Sequence, residues 1–148
     1  MKSVAVSQKL AVAPQPKLSD FQEFKRQGFT TVVNNRPDGE DPSQPGSAAE
    51  EAAAHAAGLD YVHIPVTSSA MTEDDTRRLK QAIAQAPGPV VAHCRSGARS
   101  FFLGVLSGAL DSHTDAELLA KAIELGVEAN AARTWLAAHR NSSGGDKK

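Results

Sequence analysis

The feature that most limits the fold is a strand, a tight loop and a helix in unbroken succession. It reads Pro89-Val90-Val91-Ala92-His93, then Cys94-Arg95-Ser96-Gly97-Ala98-Arg99, then Ser100 and an apolar run from Phe101 to Leu110. A β-branched stretch that passes through a short polar loop into an all-round apolar helix fits a buried strand and a buried central helix. A loop this short turns several backbone N–H groups toward one point and so forms an anion nest at a helix N-terminus. Gly97 lets the backbone turn where a Cβ would clash. Arg99 adds a planar fork of donors that matches tetrahedral oxyanions. Cys94 lies at the base of this positive field, which favours the thiolate, the form that attacks. Arg95, Ser96, Gly97, Ala98 and Ser100 are read as the anion-binding frame, with Ser100 placed to donate to the thiolate. His93 is expected to orient the loop through hydrogen bonds rather than to act as a base. A lone cysteine is often just a buried core thiol, but Gly97, Arg99 and the apolar helix in the same loop outweigh that reading.

The rest of the chain alternates strands with helices. Leu10–Ala13 reads as a strand stopped by Pro14, and Ser19 as the N-cap of a helix from Asp20 to Gln27, ended by Gly28. Phe29–Val33 is a buried strand, 34–46 a loop rich in Asn, Asp, Pro and Gly, and Ala48–Ala57 an Ala/Glu helix. Tyr61–Ile64 is another strand. Thr72 with Asp75, and Thr114 with Glu117, form capping boxes that open two further helices. A last helix spans Val127–His139, and 141–148 is expected to be a disordered tail. The pattern predicts one α/β domain over 1–140, with a mostly parallel central sheet flanked by helices and 110–140 as C-terminal helices. Ligands bind such sheets at the carboxyl ends of the strands. The loops that begin at Asn34, Val66 and Cys94 should therefore meet at one site.

Composition narrows the partners. The 148 residues carry a formal net charge of −1 and no cluster of Lys and Arg, which argues against nucleic acid or an anionic membrane. One cysteine cannot form an intramolecular disulfide, the N-terminus has no leader-like apolar core, and no stretch approaches the ~20 apolar residues of a membrane span. The expectation is a cytoplasmic protein. The five histidines, His55, His63, His93, His113 and His139, lack ligand spacing, so neither a metal nor a cofactor is expected.

Other candidates carry two readings each. Arg36 and Asp38 leave the first core strand at the active edge. They either bind substrate and orient Arg99, or hold a turn as an internal pair. Gln15 reads as a plain loop residue, although its position lets it reach the site. The acidic stretch 38–41 reads as solvated. Leu118, Leu119, Ile123, Trp135 and Leu136 read as core or as a packing face of the last helices.

The segments Val33-Asn34-Asn35-Arg36-Pro37-Asp38-Gly39-Glu40, Tyr61-Val62-His63-Ile64-Pro65-Val66 and His93 to Ser100 resemble the phosphatase-like domain of the beta-lactamase hydrolase-like proteins. The resemblance covers about Leu10 to Leu110. It implies a fold like that of dual-specificity tyrosine phosphatases, and an activity of phosphatase or sulfurtransferase type with Cys94 and Arg99 as catalytic residues. Two departures separate those activities. Tyrosine phosphatases place the arginine six positions after the cysteine; here Arg99 is five after Cys94, the length of the rhodanese-type loop. Dual-specificity phosphatases also place a general-acid Asp after the strand that corresponds to Tyr61–Ile64, where this chain has Val66-Thr67-Ser68-Ser69. Such an acid is worth typically ~10²–10⁴ for an ester leaving group, whereas sulfite or a thiolate leaves without a proton. The leading expectation is a sulfurtransferase that moves sulfane sulfur from thiosulfate or a persulfide to a thiol such as glutathione. A phosphatase acting through a Cys94 phosphocysteine, and a non-catalytic anion-binding module, are the alternatives.

Overall fold

The computed structural model describes residues 3–145, with side chains through residue 140. The strands are β1 (Val4–Ala5), β2 (Leu10–Ala13), β3 (Thr31–Asn34), β4 (Asp60–His63) and β5 (Val90–His93). The helices are α1 (Asp20–Arg26), α2 (Ser47–Ala56), α3 (Glu73–Gln85), α4 (Ala98–Leu106), α5 (Asp115–Glu124) and α6 (Ala129–Gly145). One sheet carries the order β1-β2-β5-β3-β4; β1 pairs antiparallel with β2, and all the other pairs are parallel. The fold is α/β, a mixed sheet between helical layers.

The three inner strands are buried on both faces, which is why they read as continuous apolar runs. Their side chains divide by alternation. Ala13, Val32 and Val91 pack with Phe21, Phe24, Ala54 and Leu59 of one face. Val12, Val33, Val90 and Ala92 pack with Leu79, Phe101, Leu103, Leu118 and Leu136 of the other. Phe21, Phe24 and Phe101 are fully buried, each contributing roughly 1.5–3 kcal/mol.

Parallel register then places the chemistry. Ala13 and Asn34 both pair with His93, and His63 pairs with Asn34. The strand ends are therefore level, and the loops after β2, β3, β4 and β5 leave one edge side by side.

Several local expectations shift. The short strand β1, with a pattern too brief to read, adds an antiparallel edge. Ser19 has helical backbone and makes no side-chain cap; Asp20 Oδ2 instead accepts from the Lys17 N–H at 2.8 Å. Helix α4 starts at Ala98 rather than Phe101, because Gly97, at φ 101°, turns the loop straight into it. Ile123 is 48% exposed and is not core. Both capping boxes form as read. Helix α6 runs to Gly145, within the stretch expected to be a tail; residues 146–148 lie outside the described residues.

Candidate active site

Cys94 follows β5 directly and is 1% exposed. Its Sγ accepts a hydrogen bond from the Gly97 N–H at 3.1 Å, so the backbone of the loop closes on the sulfur. A Cβ at position 97 would stand 3.0 Å from Leu125 Cδ2 and 3.5 Å from the Ala13 carbonyl carbon. Glycine is therefore required for two reasons: its φ and its close approach to the neighbouring chain. The loop is tied to the chain after β2 by Cys94 N–H to Ala13 O at 3.4 Å and Gln15 N–H to Arg95 O at 3.1 Å. The side chains of Arg95 and Ser96 are exposed at the rim, while Gly97 is buried and Ala98 half-buried. The Ser96 Oγ accepts from the Ala98 N–H at 3.3 Å.

Ser100 does not serve the sulfur. Its buried hydroxyl donates to Asn35 Oδ1 at 2.7 Å, and the Asn35 amide donates to Ile64 O at 2.9 Å. The amide orients its oxygen toward Ser100, so the hydroxyl hydrogen is committed there. Ser100 and Asn35 fasten the start of α4 to the loops after β3 and β4.

Arg99 is held on two sides. Its Nη1 donates to Val66 O at 2.9 Å and to Glu40 Oε2 at 2.9 Å; its Nη2 donates to Glu40 Oε1 at 3.0 Å. The end of the guanidinium is thus occupied. Its side edge, Nε with the second Nη2 hydrogen, has no protein partner among the described residues and is open to an oxyanion. Glu40 also accepts from Arg36 Nε at 2.9 Å. The Arg99 hydrogen bonds, and then Arg36, hold the Glu40 carboxyl below its usual 4.5 against the opposing effect of burial. The stretch read as solvated therefore contains the counter-ion of both arginines. Arg36 is 2% exposed, with Nη1 on Gln15 Oε1 at 3.0 Å and a buried Nη2 that has no protein partner. Asp38 does not pair with Arg36. It accepts from the Ser47 N–H at 2.7 Å and the Ser47 hydroxyl at 2.5 Å, which caps α2.

Behind the loop lies a second carboxylate that sequence reading did not find. Glu50 is 1% exposed on α2. Its Oε1 meets His93 Nε2 at 2.7 Å and the Tyr61 hydroxyl at 3.0 Å, and its Oε2 accepts from Gln15 Nε2 at 2.8 Å. Burial alone would raise the Glu50 carboxyl, but His93, Gln15 and Tyr61 together hold it below 4.5. The same burial and the nearby Glu50 charge push Tyr61 up. The other ring nitrogen of His93, Nδ1, lies 3.3 Å from Cys94 O. The only trace of Glu50 itself in the sequence is an acid one helical turn from the buried Ala54 on the same face of α2.

The β4–α3 connection carries no acid, and the three acids in the first turn of α3 are engaged elsewhere. Asp75 belongs to a capping box, Asp74 pairs with Arg77, and Glu73 lines a cleft of about 520 Å³ beside Trp135 and His139. Among the described residues no group of His, Cys, Asp and Glu could hold a metal ion, and no helix is long and apolar enough to cross a membrane.

The family model for the beta-lactamase hydrolase-like protein, phosphatase-like domain, matches residues 3–111. A beta-lactamase hydrolase-like protein of Agrobacterium fabrum is 45% identical over 92% of this chain. The chain spans 32% of that relative's length, and the same share of a Xylella fastidiosa relative that is 41% identical. Among solved structures, a candidate phosphatase of Neisseria meningitidis matches with a TM-score of 0.77 and 30% identity, covering 89% of this chain and 94% of that one. At 15% identity and a TM-score of 0.57, TpbA of P. aeruginosa, solved with phosphotyrosine, shares the fold over 88% of this chain and 87% of its own.

Proposed function

The chain belongs to the family of the beta-lactamase hydrolase-like protein, phosphatase-like domain, and from that premise we propose that it moves sulfane sulfur through a persulfide on Cys94. The family and its relatives support an enzyme with a cysteine nucleophile. One observation carries the sulfur reading: the carboxylate that contacts Arg99 is held as an anion and is therefore a poor proton donor for a leaving group. That carboxylate, Glu40, is gripped by two guanidiniums and held ionised.

In the reaction we propose, the Cys94 thiolate attacks the outer sulfur of thiosulfate or of a low-molecular-weight persulfide. A new S–S bond forms while the old one breaks, and its electron pair departs with sulfite or a thiolate. The loop N–H groups stabilise the anionic sulfur, and the open edge of Arg99 holds the oxyanion. A thiolate acceptor such as glutathione then takes the terminal sulfur, and Cys94 returns as thiolate. Neither half requires a proton donor.

Phosphoryl transfer is the second reading. It is favoured by the family's name, by the Neisseria meningitidis structure and by the phosphotyrosine bound to TpbA. The same cradle accepts a phosphate ester, but an alkoxide would have to leave unprotonated, a loss of about 10²–10⁴ in rate. The two are separated by parallel assays of wild type and Cys94→Ser. Release of sulfite or thiocyanate, lost in the variant, together with a 32 Da adduct on Cys94 that a reductant removes, is the expected result. Turnover of aryl phosphates through Cys94, with no transfer from thiosulfate, glutathione persulfide or mercaptopyruvate, would reverse the order.

A further inference from the structure

The Arg99 side chain and the Cys94 backbone are joined by an unbroken chain of polar contacts that starts at the surface and runs into the core of the site. Arg99 grips Glu40, Glu40 grips Arg36 Nε, and Arg36 Nη1 donates to Gln15 Oε1. Gln15 Nε2 donates to Glu50 Oε2, Glu50 Oε1 meets His93 Nε2, and His93 Nδ1 faces the Cys94 carbonyl. Gln15 also holds the Cys94 loop directly through its own N–H on Arg95 O. We propose that Glu50 and Gln15 are positioning residues that lock the nucleophile and the oxyanion-binding guanidinium into one rigid unit, so that neither moves without the other. The inference rests on Cys94 as the reactive group, whichever atom it attacks.

The chemistry at each contact argues for this role. A carboxylate in the core is costly unless every lone pair is met, and here three donors converge on Glu50. Packing alone would be satisfied by an apolar residue at this point of α2, whose neighbour on the same face, Ala54, packs against Phe21 and Phe24. Gln15 has one orientation that works. Its oxygen must face the Arg36 guanidinium, which only donates, and its amino group must face the Glu50 carboxylate, which only accepts. The amide thus carries opposite polarity at its two ends, as a link between a cation and an anion requires.

That polarity provides a reversible test. Glu50→Gln sets an amide NH2 against donors, and Gln15→Glu sets two carboxylates against each other. With both changes together the contacts from Arg36 to residue 15 and from residue 15 to residue 50 are again donor to acceptor, with the charge moved one place along the chain; the second bond of Gln15 Nε2, to Pro16 O at 3.0 Å, is the one contact the pair does not restore. The chain's single cysteine makes alkylation a readout of Cys94 that no substrate assignment affects. The ratio of iodoacetate to iodoacetamide rates isolates the anion-holding geometry, because a change of access affects both reagents alike. Wild type is expected to prefer the anionic reagent, each single variant to lose about 5-fold or more of that preference, and the pair to recover to within about 2-fold of wild type. Single variants at the wild-type ratio, or a pair whose loss is the product of the two, would overturn the proposal. Should Glu50→Gln not fold, Gln15→Met at this half-buried loop position tests the same link. An unchanged ratio there counts against it, and a fall of similar size supports it. An enzyme inactive toward every sulfur and phosphate substrate would defeat the proposed function while leaving this ratio to be measured.

Discussion

Replacing Glu40 by glutamine tests what holds Arg99. The wild-type carboxylate receives three guanidinium hydrogen bonds, at 2.9, 2.9 and 3.0 Å. Glutamine has one acceptor oxygen. Its best placement keeps Arg36 Nε and Arg99 Nη2 on that oxygen and turns an NH2 against Arg99 Nη1. One charge-assisted bond, worth about 1.5–3 kcal/mol, is lost, and the other two become weaker. The Arg36 side chain is 3% exposed, so its charge loses its ion-pair partner in a largely buried position. Breaking a fully buried pair costs about 3–5 kcal/mol, but Glu40 is 28% exposed and water screens part of that. The expected loss of stability is therefore about 2–3 kcal/mol, read by urea unfolding. In catalysis Arg99 keeps Val66 O but gains freedom to swing its open edge. KM for thiosulfate should rise about tenfold, or about 1.4 kcal/mol, with a smaller effect on kcat. The opposite sign is what a carboxylate standing in the substrate's place would produce, since its removal would free the guanidinium. An unchanged or lowered KM in a folded Glu40→Gln variant would refute the positioning argument.

Three other outcomes follow from particular contacts. Gly97→Ala forces a Cβ to φ 101° and to 3.0 Å from Leu125 Cδ2; it should cost about 1–3 kcal/mol and lower activity through the lost Sγ contact, checked by unfolding and turnover together. Thr114→Ala removes the capping box of α5 far from the site; a loss of about 0.5–2 kcal/mol with unchanged kcat is expected, and a kcat that falls with it would tie α5 to the chemistry. Glu40 and Glu50 are both held below 4.5. Carboxyls depressed in the folded state contribute stability that is complete above their unfolded value and is lost as pH falls through the folded one. Unfolding free energy should thus stay level from neutrality down and fall below about pH 4.5, less steeply in Glu50→Gln; a rise on acidification would contradict the assignment.

The fold was readable because its signals are local. Valine-rich runs, capping boxes at Thr72 and Thr114, and prolines after strands each depend on a few neighbouring residues, and they appear in the structure within one to three positions. What failed lacked such a signal or had a competitor. Strand β1 is too short to show a period. Ser19 loses its capping role to Asp20, whose carboxylate accepts from the chain before the helix. Ile123 has the right spacing for a stripe, but the turn of α5 carries it into solvent.

The site was readable only in its first half. Cys94, Gly97 and Arg99 lie within six consecutive residues, so their convergence follows from chain length. Glu40, Glu50 and Gln15 come from a loop, a helix and another loop, and they meet because Ala13, Asn34 and His93 end level in register. That register is a long-range fact with no local trace. Charge balance offers the route by which such residues can be sought. A chain that buries Arg36 and brings Arg99 close to it cannot leave two guanidiniums uncompensated, so acids must approach the same edge. Asp38 and Glu40 both leave the sheet at that edge, and their geometry separates them. Glu40 lies one helical turn's worth of chain beyond Arg36 and can fold back onto it, whereas Asp38, two residues away, faces Ser47 and is consumed in capping α2. The need for a counter-charge is thus legible from composition and motif, but which acid answers it is decided by the competing backbone donor.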